Sequence, residues 1–372
     1  MRGGAGRGRG FGAGFARGGG ASARGHGEYK ASPWRVVSSM PDDRVTSTLL
    51  GTAYGDALGL AAEGMSPKAI AARWGRVERF HLLGRWGFVS DDTEQSALVA
   101  QSMARCPGDL DAATRDFRRA LLGWFLRLPW GIGLATLRAC VRIALGLRRS
   151  GVTSAGNGAA MRAAVIGAAL DDPAQRRLWS DRFAEVTHTD PRAVQGARFV
   201  AEVAARARDA SSAEVLRAAL AVVEQPALRE AVAAALALAA GDAGPEAVVK
   251  ALGHTGFVVH TVGLASYAFA RWGDAPLRSV QGVIAFGGDT DSIAAIVGAW
   301  AGARHGAAWI PAEHLAAMHD GPFGPTHLRA LGADVSAGRG LRARYNPVAA
   351  MIRNLLLYPV VLAHGLRRLV PW

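Results

Sequence analysis

The sequence predicts an all-α fold, a compact bundle of many helices that occupies residues 42–320. Apolar or small residues recur at three- and four-residue intervals in seven long segments, the spacing of one face of an α-helix. Alanine and leucine dominate these segments, and both favour helices. No long run of alternating β-branched residues indicates a strand. The seven segments begin at residues 45, 93, 112, 160, 192, 227 and 291.

Composition sets the broad class of the protein. The chain has 372 residues, half of them hydrophobic, which is enough for a large core. Two cysteines, Cys106 and Cys140, cannot form a disulfide framework, and no CxxC pair is present to bind zinc, so we expect a reducing, cytoplasmic setting. The net charge of +13 comes almost entirely from arginine. We interpret this bias as compositional, and no specific nucleic-acid partner is predicted.

The N-terminal segment, residues 1–33, differs from the rest of the chain. It is rich in glycine and arginine and has too few large apolar residues to offset the entropy lost on ordering. The composition favours a disordered tail, and it also resembles Arg-Gly tails that bind RNA.

The C-terminal extension, residues 321–372, carries an apolar run from Leu355 to Leu362 between Arg353 and the pair at 367–368. The run is shorter than the roughly 20 residues that cross a bilayer, and Pro359 is expected to break it. Two interpretations remain open. The segment is either a helix docked on the core or a basic amphipathic segment in peripheral contact with an anionic membrane.

Two short acidic clusters precede predicted helices that are far apart in sequence. The first contains Asp91 and Asp92 after Ser90, and the second contains Asp289 and Asp291 after two glycines. Either cluster alone is explained by helix capping. The paired glycines, however, allow close backbone approach, and the helix after residue 291 has small side chains that allow tight packing. We therefore expect the two helix starts to meet.

Convergence of four aspartates predicts a metal centre, because such crowding is unfavourable unless cations neutralise it. Carboxylate and hydroxyl donors select hard ions, Mg²⁺, Mn²⁺ or Ca²⁺ rather than zinc. Two divalent cations balance four carboxylates better than one. A fifth acid, Glu63, follows glycines at 51, 55 and 59, whose four-residue spacing allows two helices to approach closely.

Two further motifs are candidates for substrate contacts. The loop Gly156-Asn157-Gly158 is predicted to open a helix and to offer backbone N–H groups to phosphate oxygens. His188 stands just before a helix that begins at an Asp-Pro pair, a position where a lone histidine is more often structural.

Taken in order, the motifs GxxxGDALGxxxE, SDDT, GNGAxMR, THxDP and GGDTDS resemble those of the ADP-ribosylglycohydrolase family, from about Thr48 to His305. The resemblance implies an all-α bundle with a binuclear magnesium or manganese centre in a central cleft. It implies a hydrolase that cleaves the bond between ADP-ribose and an acceptor such as arginine, serine or an acetyl group. The implied catalytic residues are Glu63, Asp92 and Asp291; the implied metal ligands are Ser90, Asp91, Asp92, Asp289, Asp291 and Ser292; Gly156, Asn157, Gly158 and His188 would contact the substrate.

One departure from the family pattern would slow turnover or alter the substrate if the missing residue acts in ribose ring opening or proton transfer. Many bacterial relatives carry an aspartate in the loop before a Gly-x-x-Thr helix start, whereas residues 128–133 here contain no acid. Trp130 in this loop is a candidate to stack on a base or an acceptor group. An active hydrolase of an ADP-ribosylated protein or ADP-ribose derivative is favoured. A catalytically silent ADP-ribose binder is the main alternative, and an adaptor that acts through its basic ends is the other.

Overall fold

The computed structural model describes residues 43–367. In this range it contains seventeen α-helices, three single-turn 3₁₀ helices and isolated β-bridges but no strand, which confirms the all-α prediction. The predicted Arg- and Gly-rich tail lies outside the described residues. The α-helices are Arg44–Gly59 (α1), Pro67–Trp74 (α2), Asp91–Arg105 (α3), Leu110–Phe125 (α4), Leu134–Ala144 (α5), Ala164–Ala169 (α6), Pro173–Glu185 (α7), Pro191–Arg206 (α8), Ser212–Ala219 (α9), Pro226–Ala240 (α10), Pro245–Leu252 (α11), Val258–Trp272 (α12), Pro276–Ile284 (α13), Thr290–His305 (α14), Ala312–Ala317 (α15), Pro325–Ala337 (α16) and Pro347–Arg367 (α17), and the 3₁₀ helices are Leu60–Ala62, Asn157–Ala159 and Leu220–Val222.

Helices α1 and α14 form the centre of the bundle, and their backbones touch. A Cβ atom at Gly51 would lie 2.0 Å from the carbonyl oxygen of Gly298, and one at Gly55 would lie 2.0 Å from that of Ala294. Real side chains never approach so closely, so only glycine is compatible with this seam. The regular spacing of small residues therefore fixes how α1 and α14 are aligned, and with them the residues at their ends.

The remaining helices surround this pair and bring the acidic segments together. Helix α3 packs against α1 and α16, while α8, α12 and α13 pack against α14. Ser90 caps α3, because its Oγ accepts a hydrogen bond from the backbone N–H of Asp92 at 3.3 Å. The N-terminus of α3 consequently lies beside the end of α1 and the start of α14.

The C-terminal extension is packed on the bundle through α16, whose Gly332 lies against Thr46 of α1. The expectation that Pro359 breaks the apolar run is wrong, since α17, which is 21 residues long, continues through Pro359 to Arg367. Residues 347–366 are long and apolar enough to cross a membrane by length and composition alone. One face of α17 is nevertheless buried against the bundle, at Ala350, Arg353, Asn354, Leu357 and His364.

Candidate metal centre and substrate cavity

The start of α3 is tied to α1 by Asp56, a residue that the sequence analysis did not select. One carboxylate oxygen of Asp56, Oδ2, accepts hydrogen bonds from the backbone N–H groups of Ser90 at 2.9 Å and Thr93 at 3.1 Å, and from Thr93 Oγ1 at 2.5 Å. Its side chain is fully buried. In the sequence, the feature that could have identified Asp56 is its position as an acid on a helix face made otherwise of glycine and apolar residues.

The two predicted acidic helix starts meet. Asp92 Oδ2 accepts hydrogen bonds from Ser90 Oγ in its own segment and from Ser292 Oγ in α14, each at 3.2 Å. The backbone N–H of Ser292 donates to Asp291 Oδ1 at 3.0 Å. Residues about 200 positions apart in the chain thus share one hydrogen-bonded site.

Three carboxylates within this site could hold a metal ion together. Asp56, Asp92 and Asp291 each offer an oxygen that lies within 4.8 Å of those of the other two, and all three residues are buried. Asp56 Oδ1 and Asp92 Oδ1 are buried oxygens with no hydrogen-bond partner. A buried acceptor without a donor is costly, and a hard divalent cation satisfies it. The donors present therefore fit Mg²⁺ or Mn²⁺.

The electrostatics of the carboxylates also favour a cation. Burial, followed by repulsion from neighbouring acids, raises the pKa of Asp92 and of Asp291 well above the usual range. Burial likewise raises the pKa of Asp91 well above its usual range and that of Asp289 above it. Burial raises the pKa of Asp56 to about 6, against the lowering effect of its hydrogen bonds. These groups cannot all ionise near neutral pH unless positive charge enters the site.

Asp289 is held by contacts other than helix capping. It occupies the N-cap position of α14 but makes no side-chain capping hydrogen bond. Instead, its Oδ2 accepts from Asn157 Nδ2 at 2.6 Å. The preceding Gly288 has a φ of +76°, and it lies so close to the carbonyl group of His254 that no side chain would fit. The sequence predicted that the paired glycines allow close backbone approach, and this approach brings the Asp289 carboxylate to the site.

The backbone beside Glu63 is hydrogen-bonded to the backbone beside Asp289. The backbone N–H of Gly64 donates to the carbonyl of Gly288 at 2.7 Å, and that of Gly288 donates to the carbonyl of Met65 at 3.0 Å. Glu63 contributes to the raised pKa of both Asp91 and Asp291, which places its carboxylate in the same electrostatic environment. Below, the acidic cluster means Asp56, Glu63, Asp91, Asp92, Asp289 and Asp291.

A cavity of about 520 Å³ opens from the acidic cluster, and we call it the large cavity. Its volume is that of a small-molecule site, about 300–1,000 Å³. Most of the predicted substrate and metal residues line it. Those residues are Glu63, Asp91, Asp289, Asp291, Ser292, Gly156, Asn157, Gly158 and His188.

The glycine-rich loop lines the large cavity, but its local structure differs from the prediction. Asn157–Ala159 is a three-residue 3₁₀ helix, and α6 begins only at Ala164. The backbone N–H of Asn157 is already used, since it donates to the carbonyl of Gly256 at 2.9 Å. This N–H group is therefore not available to a phosphate, and binding of phosphate oxygens by the rest of the loop stays a prediction. What the loop presents to the cavity is the Asn157 side chain and a backbone surface without Cβ atoms.

His188 lines the cavity at the end of a buried hydrogen-bond chain that starts at Asp91. Gln95 Nε2 donates to Asp91 Oδ2 at 3.0 Å, and Arg162 donates to both Gln95 Oε1 and Thr187 Oγ1 at 2.6 Å. Thr187 Oγ1 in turn lies 2.7 Å from His188 Nδ1. Burial and the charge of Arg162 lower the pKa of His188 to about 3. His188 is consequently neutral at physiological pH.

Trp130 does not line the large cavity. Its side chain is 7 % exposed and packs in a small apolar cluster with Leu60, Leu82 and Leu357. The neighbouring Gly131, with a φ of +78°, instead faces the cavity, and a Cβ atom there would lie 3.3 Å from Asp91 Oδ1. The indole turns toward α17 rather than into the large cavity, and its stacking on a base or an acceptor group stays a prediction.

Comparison with known proteins identifies the family. The ADP-ribosylglycohydrolase family model matches residues 38–344, most of the chain. The chain belongs to the ADP-ribosylglycohydrolase family. It is 32 % identical over 294 residues to an uncharacterized protein of Archaeoglobus fulgidus, a match that covers 76 % of this chain and 93 % of that protein.

Two further comparisons agree with this family. The chain is 35 % identical over 165 residues to the ADP-ribosyl-[dinitrogen reductase] glycohydrolase of Rhodospirillum rubrum, covering 40 % of this chain and 52 % of that enzyme. A solved structure described as an ADP-ribosylglycohydrolase-related protein complex superposes with a TM-score of 0.63 at 26 % identity, covering 80 % of this chain and 98 % of that one. The resemblance noted in the sequence is thus confirmed, and family membership supports hydrolysis of ADP-ribose linkages.

Proposed function

We propose that this protein is a metal-dependent hydrolase that releases ADP-ribose from an acceptor. The observation that carries the proposal is the pair of unpartnered buried oxygens, Asp56 Oδ1 and Asp92 Oδ1, within a group of carboxylates beside a cavity of about 520 Å³. Without cations this arrangement is strongly unfavourable, and a fold that keeps it has a use for the ions. Membership of a glycohydrolase family supplies the reaction class.

The cation ligands come from three elements. Asp56 of α1, Asp92 of α3 and Asp291 of α14 are the inner group, because their oxygens lie closest together. Asp91 and Asp289 border the large cavity beside them, and Ser90 and Ser292 orient the Asp92 carboxylate through Oγ. When bound, Mg²⁺ or Mn²⁺ ions neutralise these acids, hold hydroxyls and lower the pKa of a water.

The remaining cavity residues orient the substrate and handle protons. Glu63 lines the large cavity at the edge of the cluster, which suits a carboxylate that accepts a proton from the attacking water. Asn157 is held by Asp289 and by Thr261 Oγ1 at 3.0 Å, so its amide is fixed in the cavity wall. His188, being neutral, can hydrogen-bond to the ribose or phosphate without adding charge.

The test is an assay of purified protein with Mg²⁺ or Mn²⁺ against arginine-, serine- and acetyl-linked ADP-ribose, with release of ADP-ribose as the readout. Asp92→Asn and Asp291→Asn should reduce turnover at least about 100-fold, because each removes a charge from the inner group. Asp242→Asn, a change at a side chain that is 98 % exposed, is the matched control and should keep wild-type turnover. Full turnover of Asp92→Asn after chelation would exclude the proposal.

A silent ADP-ribose binder is the second candidate, favoured by one observation. The loop at 128–133 places Gly131 rather than an acidic side chain against Asp91. Calorimetry decides between the two candidates. Binding of ADP-ribose with no release from any of the three substrates supports the binder, whereas release from one of them supports the hydrolase.

We further propose that the protein acts in the cytoplasm. Both cysteines are free, and Cys140 is buried, which suits a reducing compartment. Fractionation of the cells that express it tests this location, and recovery in an extracellular or membrane fraction would contradict it.

A further inference from the structure

A second cavity lies beside the acidic cluster, and we call it the apolar chamber. Its volume is about 330 Å³. It shares Glu63, Gly131 and Asp291 with the large cavity, so the two spaces meet at the acidic cluster. Most of its remaining lining is apolar. The apolar side chains are Leu60, Leu82, Trp130, Val361, Leu362 and Leu366.

One wall of the apolar chamber comes from α17, which begins after the last residue matched by the family model. Val361, Leu362 and Leu366 supply this wall. The chamber is therefore a property of this chain that the family pattern does not describe.

Helix α17 is held firmly against the loop that completes the chamber. Asn354 Nδ2 donates to the carbonyl of Arg127 at 2.9 Å, and Tyr358 OH donates to the carbonyl of Pro129 at 3.3 Å. Nearer its C-terminal end, His364 Nε2 lies 3.0 Å from the carbonyl of Leu82. These contacts fix both the helix and residues 127–131, so the chamber is preformed.

Its position and lining indicate what the chamber binds. Among the described residues that line it, Glu63 and Asp291 are the only acids, and the proposed function already uses Asp291 as a cation ligand and Glu63 as a proton acceptor. A guanidinium acceptor would lose hydration there without gaining a carboxylate of its own, which is unfavourable. An uncharged hydrocarbon group gains instead, since burial of apolar area contributes about 25 cal/mol per Å².

We propose that the apolar chamber is the acceptor subsite, and that it binds the uncharged, apolar body of a group linked to the anomeric carbon of ADP-ribose. This inference rests on the proposed function. Hydrolysis breaks the bond from the anomeric carbon to the acceptor and forms one to the oxygen of water. One proton of that water ends on the departing acceptor. With ADP-ribose in the large cavity, the acceptor extends past Glu63 and Asp291 into the chamber.

The test compares two O-glycosides of ADP-ribose, which are alkyl ethers of its anomeric hydroxyl, one formed with methanol and one with cyclohexylmethanol. These two ethers differ in apolar size but not in leaving-group chemistry. We expect kcat/KM about tenfold higher for the cyclohexylmethyl ether, because the ring is buried in the transition state. A guanidine-linked ADP-ribose should be the poorest of the three.

Val361→Trp fills the chamber and should reduce the ratio between the two ethers to within about twofold. Leu362→Asp, at a rim position that is 61 % exposed and tolerant of charge, should do the same if the first variant does not fold. Leu356→Trp is the matched control, because residue 356 is 71 % exposed on the same helix and does not line the chamber. It should keep the wild-type ratio.

Binding of 4-fluorobenzyl alcohol, followed by ¹⁹F NMR, separates this inference from the proposed function. Binding to the wild type and to Leu356→Trp, but not to Val361→Trp or Leu362→Asp, supports the chamber even if no ether is cleaved. In that case only the hydrolase proposal fails. Equal kcat/KM for the two ethers, or probe binding that the chamber variants do not weaken, overturns the inference.

Discussion

The ion pair between Arg353 and Glu94 allows a quantitative prediction, because both side chains are almost fully buried, at 7 % and 5 % exposure. It joins α17 to α3, the helix that begins at Asp91. Glu94 Oε2 also accepts from Trp124 Nε1 at 2.5 Å, and Arg353 also donates to the carbonyl of Pro322 at 2.9 Å. The variant Arg353→Met keeps most of the apolar volume but leaves the Glu94 carboxylate buried without its cation.

Removing one partner of a buried pair costs about 3–5 kcal/mol, because the remaining charge is uncompensated. At somewhat less than about 2 °C per kcal/mol for a chain of this length, Arg353→Met should lower Tm by about 5–8 °C. The double variant Glu94→Gln/Arg353→Met should recover at least about half of the loss, since a neutral amide still accepts from Trp124 and carries no charge.

Circular dichroism during thermal and urea unfolding measures these effects, and limited proteolysis shows whether α17 detaches before the bundle unfolds. Arg329→Met, an exposed arginine on α16, is the control and should stay within about 0.5 kcal/mol of the wild type. A Tm of Arg353→Met within about 1 °C of the wild type would refute this reasoning. So would a double variant less stable than the single one.

Three further predictions concern the residues around the large cavity. His188 has a pKa of about 3 in the folded state against about 6.5 in the unfolded state. Its contribution to the free energy of unfolding is therefore present above about pH 6.5 and is lost as the pH falls toward 3, with a loss of about 2 kcal/mol at pH 5. His188→Asn should remove this loss and so flatten the pH dependence of Tm. Gly288→Ala should cost at least about 2 kcal/mol and weaken Mn²⁺ binding measured by calorimetry, because its φ is +76° and the new Cβ would lie 1.8 Å from the carbonyl oxygen of His254. Gln95→Ala should lower turnover at least about tenfold, because it removes the donor to Asp91 Oδ2 and leaves Arg162 Nη1 without the acceptor that Gln95 provides.

The glycine and glutamine predictions each have a control on a comparable residue. Gly84→Ala introduces a side chain at a φ of +62° with open space around it, so its cost reports backbone strain alone. Gln101→Ala on α3 changes the same residue type away from the large cavity. His188 is compared in metal-free buffer, so that cation release does not contribute to the pH profile. Equal effects in variant and control would contradict the structural explanation for Gly288 and Gln95, and an unchanged pH dependence of Tm in His188→Asn would contradict that for His188.

The convergence of the two acidic helix starts could be predicted from the sequence, because capping alone does not require so many acids and small residues allow close packing. Asp56 could not be selected in the same way. It lies in a stretch whose glycines already had a structural explanation. Only the fold shows that its carboxylate accepts hydrogen bonds from the backbone N–H groups at the start of α3.

Other differences have equally local causes. The course of α17 through Pro359 depends on tertiary contacts at Asn354, Tyr358 and His364, which no local pattern contains. The direction of Trp130 depends on the same helix, whose buried Leu357 receives the indole. Periodicity and capping identify helices and their ends. Which of two neighbouring spaces a side chain occupies depends instead on elements that are distant in sequence.

The glycine seam between α1 and α14 has a consequence for how this enzyme family can diverge. Main-chain atoms, rather than interlocking side chains, set the register that carries Asp56 and Asp291, so we expect substitutions in the surrounding layers to leave the spacing of those carboxylates unchanged. Peripheral helices and loops can then be exchanged, lengthened or added, and new acceptor preferences can evolve around a reaction centre that stays the same.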